Sequence, residues 1–261
     1  LHPPGRYVLY EGTVYYTPVD DGGCNVWASG ATPVDEELKS KISKMEHLDQ
    51  HIKATAQSSE YITQSYILTG ESLAFVYPFY DSVAVLPPGL DFSNSIMPFY
   101  LVDPEHNPDR SPTWVEPYID ATGKGYIITI SCPIYSDKGF EGSAGSDIAI
   151  LPISRNFLEP RSEAWFMVTR NTLLVAVNKP CEELLSIEGL GEYYYLEGVQ
   201  EDEYASQEYR LSMHESQDIR DLASRLDGNG HFEMDIHGRR IRFHQFAIDE
   251  VDWLLVLAQS L

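Results

Sequence analysis

Short runs of β-branched and aromatic residues, each closed by a turn signal within about a dozen positions, recur along this chain. Each half of the chain joins such runs to an amphipathic helical stretch. In the first half Asp35 is placed to cap a helix, Glu36 and Glu37 suit its first turn, and Leu38, Ile42, Met45 and Leu48 recur three and four apart. One helix is therefore predicted from 35 through Ile52 toward Ala56. Residues 61–68 and 72–77 read as a β-hairpin around Thr69, Gly70 and Glu71, and residues 126–134 and 143–150 as a second hairpin around Asp137, Lys138 and Gly139. Between them, 87–112 reads as one long irregular stretch, a length that in a compact domain points to function or mobility.

In the second half, 152–158 fits a short connecting helix, and strands are expected at 165–169 and 173–177 around Arg170 and Asn171. A helix over 216–226 carries Ile219, Leu222, Ala223 and Leu226 and stops at Asp227-Gly228-Asn229-Gly230. Three closing strands follow at 231–236, 240–247 and 253–258. Helix plus consecutive antiparallel strands, occurring twice, predicts an α+β protein of two modules, 1–150 and 151–261. The opening 33 residues, rich in Gly, Pro and aromatics, read as extended segments and turns.

Against 18 Lys and Arg stand 40 Asp and Glu, and the net charge of −22 repels phosphate backbones, so nucleic acid is not an expected partner. Nine acidic residues and no Lys or Arg fall within 182–208, which reads as a solvated acidic face or as a site for cations or a basic partner. Cys24, Cys132 and Cys181 form no CxxC pair and no complete disulfide set. No apolar run approaches the ~20 residues that span a bilayer. Without an initiator Met or a leader, the chain reads as a segment of a longer protein.

Motifs of chemistry are sought and not met. Glu141-Gly142-Ser143-Ala144-Gly145 lacks the first Gly of a nucleophile elbow, and His214-Glu215 is not followed by the second His of a zinc helix. A calcium loop beginning at Asp227 would close on Gly238 instead of Glu. In 231–237 a period of two puts His231, Glu233, Asp235 and His237 on one face. That face reads either as solvated polar surface or as the metal centre of a secreted metal-dependent hydrolase. No enzyme activity, catalytic residue, metal or cofactor is expected of the chain.

Asn107-Pro108-Asp109-Arg110, Trp114-Val115-Glu116-Pro117-Tyr118-Ile119-Asp120, Gly123-Lys124-Gly125, Cys132-Pro133-Ile134-Tyr135 and Gly142-Ser143-Ala144-Gly145-Ser146-Asp147-Ile148, in that order, resemble the double Cache family. These are tandem PAS-like extracytoplasmic sensor domains of histidine kinases, chemoreceptors and diguanylate cyclases. Val26-Trp27, Pro33 and Tyr77-Pro78 are similar to one branch of the family, and 230–258 to the closing hairpin of its membrane-proximal module. The resemblance implies two Cache modules, each a mostly antiparallel sheet flanked by helices, with 1–150 membrane-distal and 151–261 membrane-proximal. It further implies a small ligand held in the distal module, a homodimeric receptor with flanking transmembrane helices, and a cytoplasmic output, most often a histidine kinase. The long helix that precedes the distal module in the family is expected to lie outside this chain.

Carried over residue by residue, the resemblance makes Tyr66, Tyr80, Phe99, Tyr100, Arg110, Trp114, Tyr118, Asp120 and Asp147 candidate ligand contacts. Amino-acid-binding members use an Arg-x-Trp-Tyr stretch to clamp the ligand carboxylate, and here that stretch is Met97-Pro98-Phe99-Tyr100, with Met97 where the clamp would be. Aromatic walls and a carboxylate without that cation favour a cationic or neutral ligand over a simple amino acid, with Arg110 a possible substitute clamp. Each residue has a structural reading too. Trp114 and Tyr118 can wedge a loop onto the sheet, Asp120 can fix the turn to Gly123, Asp147 can have an internal partner, and Tyr66 and Tyr80 can be core. A purely structural or partner-binding ectodomain remains a further alternative.

Overall fold

A computed structural model describes residues 5–120, 122–187 and 209–261, together with the backbone of 203–204. Most of the acidic stretch 182–208 lies outside the described residues. The chain divides into two compact units, the first running through Ala149 and the second beginning at Ile150.

The first unit is built on one antiparallel sheet. Its strands are β1 (Val8–Tyr10), β2 (Val14–Tyr16), β3 (Asn25–Ala28), β4 (Ile62–Thr69), β5 (Leu73–Tyr77), β6 (Thr113–Ile119), β7 (Tyr126–Ser136) and β8 (Gly139–Ala149). Their spatial order is β1-β2-β3-β5-β4-β8-β7-β6, and the two-residue β11 (Glu203–Tyr204) lies beside β6. The period of two sorts side chains to opposite faces. Val26, Ala28, Leu73 and Phe75 turn to one face, where Leu38, Ile42 and Ile52 of α1 (Glu36–Met45) and α2 (Asp49–Ala56) cover them. Trp27, Tyr66, Leu68, Ala74 and Val76 turn to the other face, beneath Leu86, Leu90, Phe92 and Phe99.

Asp35 caps α1, its side chain accepting from the Leu38 N–H at 2.9 Å. The single helix expected over 35–56 is broken, because a 3₁₀ turn, Glu46–Leu48, separates α1 from α2. That turn places both acids of the break against the N-terminal segment. Glu46 accepts from the Tyr7 hydroxyl at 2.8 Å, and Asp49, the first residue of α2, accepts from the Arg6 guanidinium at 2.7 Å. The stretch 87–112, expected to be irregular, contains two single helical turns, α4 (Phe92–Ser95) and α5 (Met97–Tyr100), after α3 (Ser82–Val85). Four residues are too few to show a helical period, and Pro98 sits where a first turn accepts it.

The second unit starts with α6 (Ile150–Ile153) and a π turn (Ser154–Leu158). Its five strands are β9 (Ala164–Thr169), β10 (Leu174–Val177), β12 (His231–Ile236), β13 (Arg239–Ile248) and β14 (Trp253–Ser260), in the order β10-β9-β14-β13-β12. Phe166, Val168, Leu174, Phe243, Leu254 and Val256 are fully buried, as are Leu185 of α7 (Lys179–Leu185) and Ile219 and Leu222 of α8 (Gln217–Ser224). Each such side chain contributes roughly 1.5–3 kcal/mol of transfer free energy. No helix among the described residues is long and apolar enough to cross a membrane.

Candidate functional site

On the sheet face below α3, α4 and α5 the first unit holds a cavity in which a water centre can explore ≈ 50 Å³. Its sheet wall comes from β4, β5, β6 and β8, and its apolar roof from Leu86, Leu90, Phe92, Ile96 and Pro98. Gln64, Tyr66, Tyr118, Asp120, Thr122 and Asp147 gather polar groups at one end, and Tyr80 adds a further hydroxyl-bearing side chain to the lining. An apolar chamber with few convergent polar groups is the ordinary form of a small-molecule site.

The strand register assembles that end. Gln64 stands opposite Asp147 and Tyr66 opposite Gly145 in the β4–β8 pair, while Thr129 of β7 stands opposite Asp147 on its other side. Asp147, 1 % exposed, accepts from Gln64 Nε2 at 2.5 Å, from the Tyr66 hydroxyl at 2.9 Å and from Thr129 Oγ1 at 2.5 Å. Because Thr129 spends its hydrogen on Asp147, the Tyr118 hydroxyl at 2.9 Å is the donor to Thr129. Asp120, likewise buried, accepts from Thr122 Oγ1 and from the Lys124 backbone N–H at 3.0 Å. Thr122 also lies 3.2 Å from Gln64 Oε1, so a continuous polar chain joins the two carboxyls.

Burial holds Asp147 above the usual carboxylate range, to about 7, with the nearby Asp120 adding to the rise and the three donors opposing it. Burial raises Asp120 as well, against the hydrogen bonds from Thr122 and Lys124. Two desolvated carboxyls that share a chamber resist being ionised together. Among the described residues no Lys, Arg or His lines the cavity.

Four of the nine residues singled out in the sequence do not line this chamber. Arg110 is exposed, adopts φ 56°, and lays its guanidinium 4.1 Å from the Tyr135 ring centroid, outside the cavity lining. Phe99 packs edge-on to Phe92 and Phe140 in the core, Tyr100 meets His106 edge-on, and Trp114 is half-buried on β6. The other five, Tyr66, Tyr80, Tyr118, Asp120 and Asp147, share the cavity wall. The Asp120 side chain also holds the turn, accepting from the Lys124 backbone N–H, while its backbone carbonyl accepts from the Gly123 N–H at 3.1 Å. Met97 packs with Val115, Tyr118 and Ile127 in a separate cluster. Sequence reasoning missed Gln64, Thr122 and Thr129, although the period of two that aligned Tyr66 also carried Gln64 to the same face.

The polar face of β12 does not gather into one site. Glu233 pairs with Arg242 at 2.7 Å, Asp235 lies 3.5 Å from Arg240, and His237 sits in the following turn at φ 48°, 3.2 Å from the Ser186 hydroxyl. Among the described residues no group of three or more His, Cys, Asp or Glu is placed to hold a metal ion.

No protein-family profile matches the sequence, and no curated protein does. Solved structures do match. The sensory domain of the Campylobacter jejuni chemoreceptor Tlp3 superposes with a TM-score of 0.56 at 14% identity, over 87% of this chain and 76% of that one. The ligand-binding domain of the Pseudomonas aeruginosa PAO1 amino-acid chemoreceptor PctB, in complex with L-Arg, gives 0.53 at 14%, over 87% and 74%. The extracellular domain of mmHK1S-Z2, a chain named as a histidine kinase, gives 0.52 at 17%, over 87% and 82%. This chain has the tandem PAS-like, α+β fold of the double Cache sensor domains.

Proposed function

We propose that this chain is the extracytoplasmic ligand-binding region of a transmembrane signalling receptor, without enzymatic activity of its own. It binds a small molecule in the cavity of the first, membrane-distal unit and relays the change through the second, membrane-proximal unit. In the intact receptor it acts as a homodimer and reports to a cytoplasmic output, for which a histidine kinase is the first choice. Ligand binding drives that relay only as far as its affinities for the two receptor states differ.

The observation that carries this reading is the pairing of Asp120 and Asp147 in an apolar chamber that, among the described residues, no basic side chain lines. Such a chamber lowers the energy of a ligand with an ammonium head and a short apolar body, or of a neutral hydrogen-bond donor. It offers nothing to neutralise a carboxylate. The L-Arg bound by PctB speaks for an amino acid instead, and the comparison is direct. The chain is titrated calorimetrically with isobutylamine, putrescine, L-isoleucine and L-arginine. Tight binding of an amine, lost on Asp147→Ala in a folded variant, supports the reading. Binding confined to the amino acids overturns the ligand class, and binding of no small molecule from a broad panel overturns the sensor function of this cavity.

A further inference from the structure

In the second unit the antiparallel register of β12 and β13 sets His231 directly opposite His244. Their ring centroids are 5.6 Å apart and the planes are inclined by 31°. Among the described residues neither imidazole makes a hydrogen bond or enters an ion pair, so its nitrogens are not committed elsewhere. His231 is exposed and His244 half-buried, which leaves the pair open to solvent on one side. The acids of the same face are engaged one and two rows away, Glu233 with Arg242 and Asp235 with Arg240.

We infer that His231 and His244 form a two-imidazole site for a borderline transition-metal ion of the Cu²⁺, Ni²⁺ or Zn²⁺ class. The geometry allows it. Two imidazole nitrogens, each about 2.0–2.1 Å from one tetrahedral ion, hold their ring centres about 5 Å apart, within a small side-chain rotation of the observed spacing. Neutral imidazoles suit these ions and not Mg²⁺ or Ca²⁺, which require oxygen ligands. With two protein ligands and water in the remaining positions, binding is moderate and follows the order Cu²⁺ over Ni²⁺ and Zn²⁺. A bound ion cross-links β12 to β13, the strand that also pairs with β14, and so braces three of the five strands of this sheet. The signal was absent from the β12 sequence because the second ligand arrives on the neighbouring strand.

The test uses the whole chain, stripped with chelator and titrated with CuCl₂, NiCl₂ and ZnCl₂ at pH 7.5. One equivalent of Cu²⁺ should bind, with at least a tenfold loss of affinity in His231→Ala and an equal loss in His244→Ala. The double variant should be no worse than either single one, because a chelate is broken by losing one arm. His47→Ala, an exposed histidine of the first unit, should change nothing. Should an alanine variant unfold, His231→Gln and His244→Gln replace it, and Cu²⁺ in the folded wild type should show an electron-paramagnetic signature of two nitrogen ligands. Unaltered affinity in either single variant, or a loss as large in His47→Ala, overturns the site.

Discussion

Gly145 leaves the space that Tyr66 occupies. The two face each other across β4 and β8, and a Cβ on Gly145 would stand 2.6 Å from the Tyr66 ring and 2.8 Å from its hydroxyl. Tyr66 is 5% exposed and its hydroxyl is held by Asp147, so the ring cannot swing clear. Gly145→Ala is therefore expected to cost about 1–3 kcal/mol of stability, the range for overpacking a filled interior. Urea denaturation measures it. An unchanged midpoint would mean that the ring relocates at no cost, and that Tyr66 does not define the cavity wall.

Asp147 also makes the stability of the first unit depend on pH. Its folded-state pKa is raised to about 7, whereas an unfolded Asp titrates near 3.9. Between those values the folded chain binds more protons than the unfolded one, so this contribution to stability is greatest at low pH and is lost as pH rises toward 7. Asp147→Asn removes the slope. The uncharged amide fits if Gln64 turns its own amide over, presenting Oε1 to the new donor and Nε2 to Thr122. The wild type should fall behind the variant by about 1–4 kcal/mol between pH 4.5 and pH 7.5 in paired denaturation curves. A constant difference across that range would refute the burial of a proton on Asp147.

The same protonation sets the pH profile of the site. An amine probe at the carboxyl pair must displace the proton that the empty chamber retains, so its affinity should climb roughly tenfold per pH unit below about 7 and level off above it. Arg110→Ala should leave that affinity unchanged, because the guanidinium is committed to the Tyr135 ring outside the cavity. Calorimetry of isobutylamine at pH 5.5, 6.5 and 7.5 follows both expectations. A pH-independent affinity, or a loss with Arg110→Ala, would move the ligand away from Asp147.

What could be read from the sequence was whatever is local. The Asp35 cap, both hairpins of the first unit and the three closing strands follow from spacing and turn residues, and the structure has them. What was hidden depends on residues distant in sequence. Arg6 reaches Asp49 across 43 positions, at the first residue past the 3₁₀ turn that interrupts a helix whose own periodicity runs through the break. Gln64 meets Asp147 across 83 positions through the β4–β8 pairing, which no local signal announces, while Thr129 comes to Asp147 with the predicted β7–β8 hairpin. The order-specific resemblance led to Asp120, Tyr118 and Asp147, which share the cavity. It also led to Phe99, Tyr100, Arg110 and Trp114, which fill core or surface positions around it.

Asn178 is the second unit's counterpart to that hidden kind of order. It is 1% exposed, and its side-chain oxygen accepts from the Trp165 N–H at 2.9 Å and the Cys181 N–H at 3.2 Å, which begins β9 and caps α7 in one step. Its amide nitrogen donates to the Leu158 carbonyl at 3.1 Å and the Glu163 carbonyl at 2.8 Å, tying the π turn to the strand that follows. Alanine would take this partner from the Trp165 backbone N–H and the Glu163 carbonyl, each worth about 1–3 kcal/mol when left unmade, less whatever water recovers, while the Cys181 N–H keeps the Asn178 carbonyl and the Leu158 carbonyl keeps the Arg161 N–H. Aspartate would keep both acceptor contacts and lose both donations, while setting a charge against two carbonyl oxygens. Asn178→Ala should therefore destabilise the second unit by about 2–4 kcal/mol, with Asn178→Asp no better. Amine binding in the first unit should be unaffected wherever that unit stays folded. Hydrogen exchange read separately on β9 and on β4 distinguishes the two, and equal loss of protection in both would show that the units unfold as one.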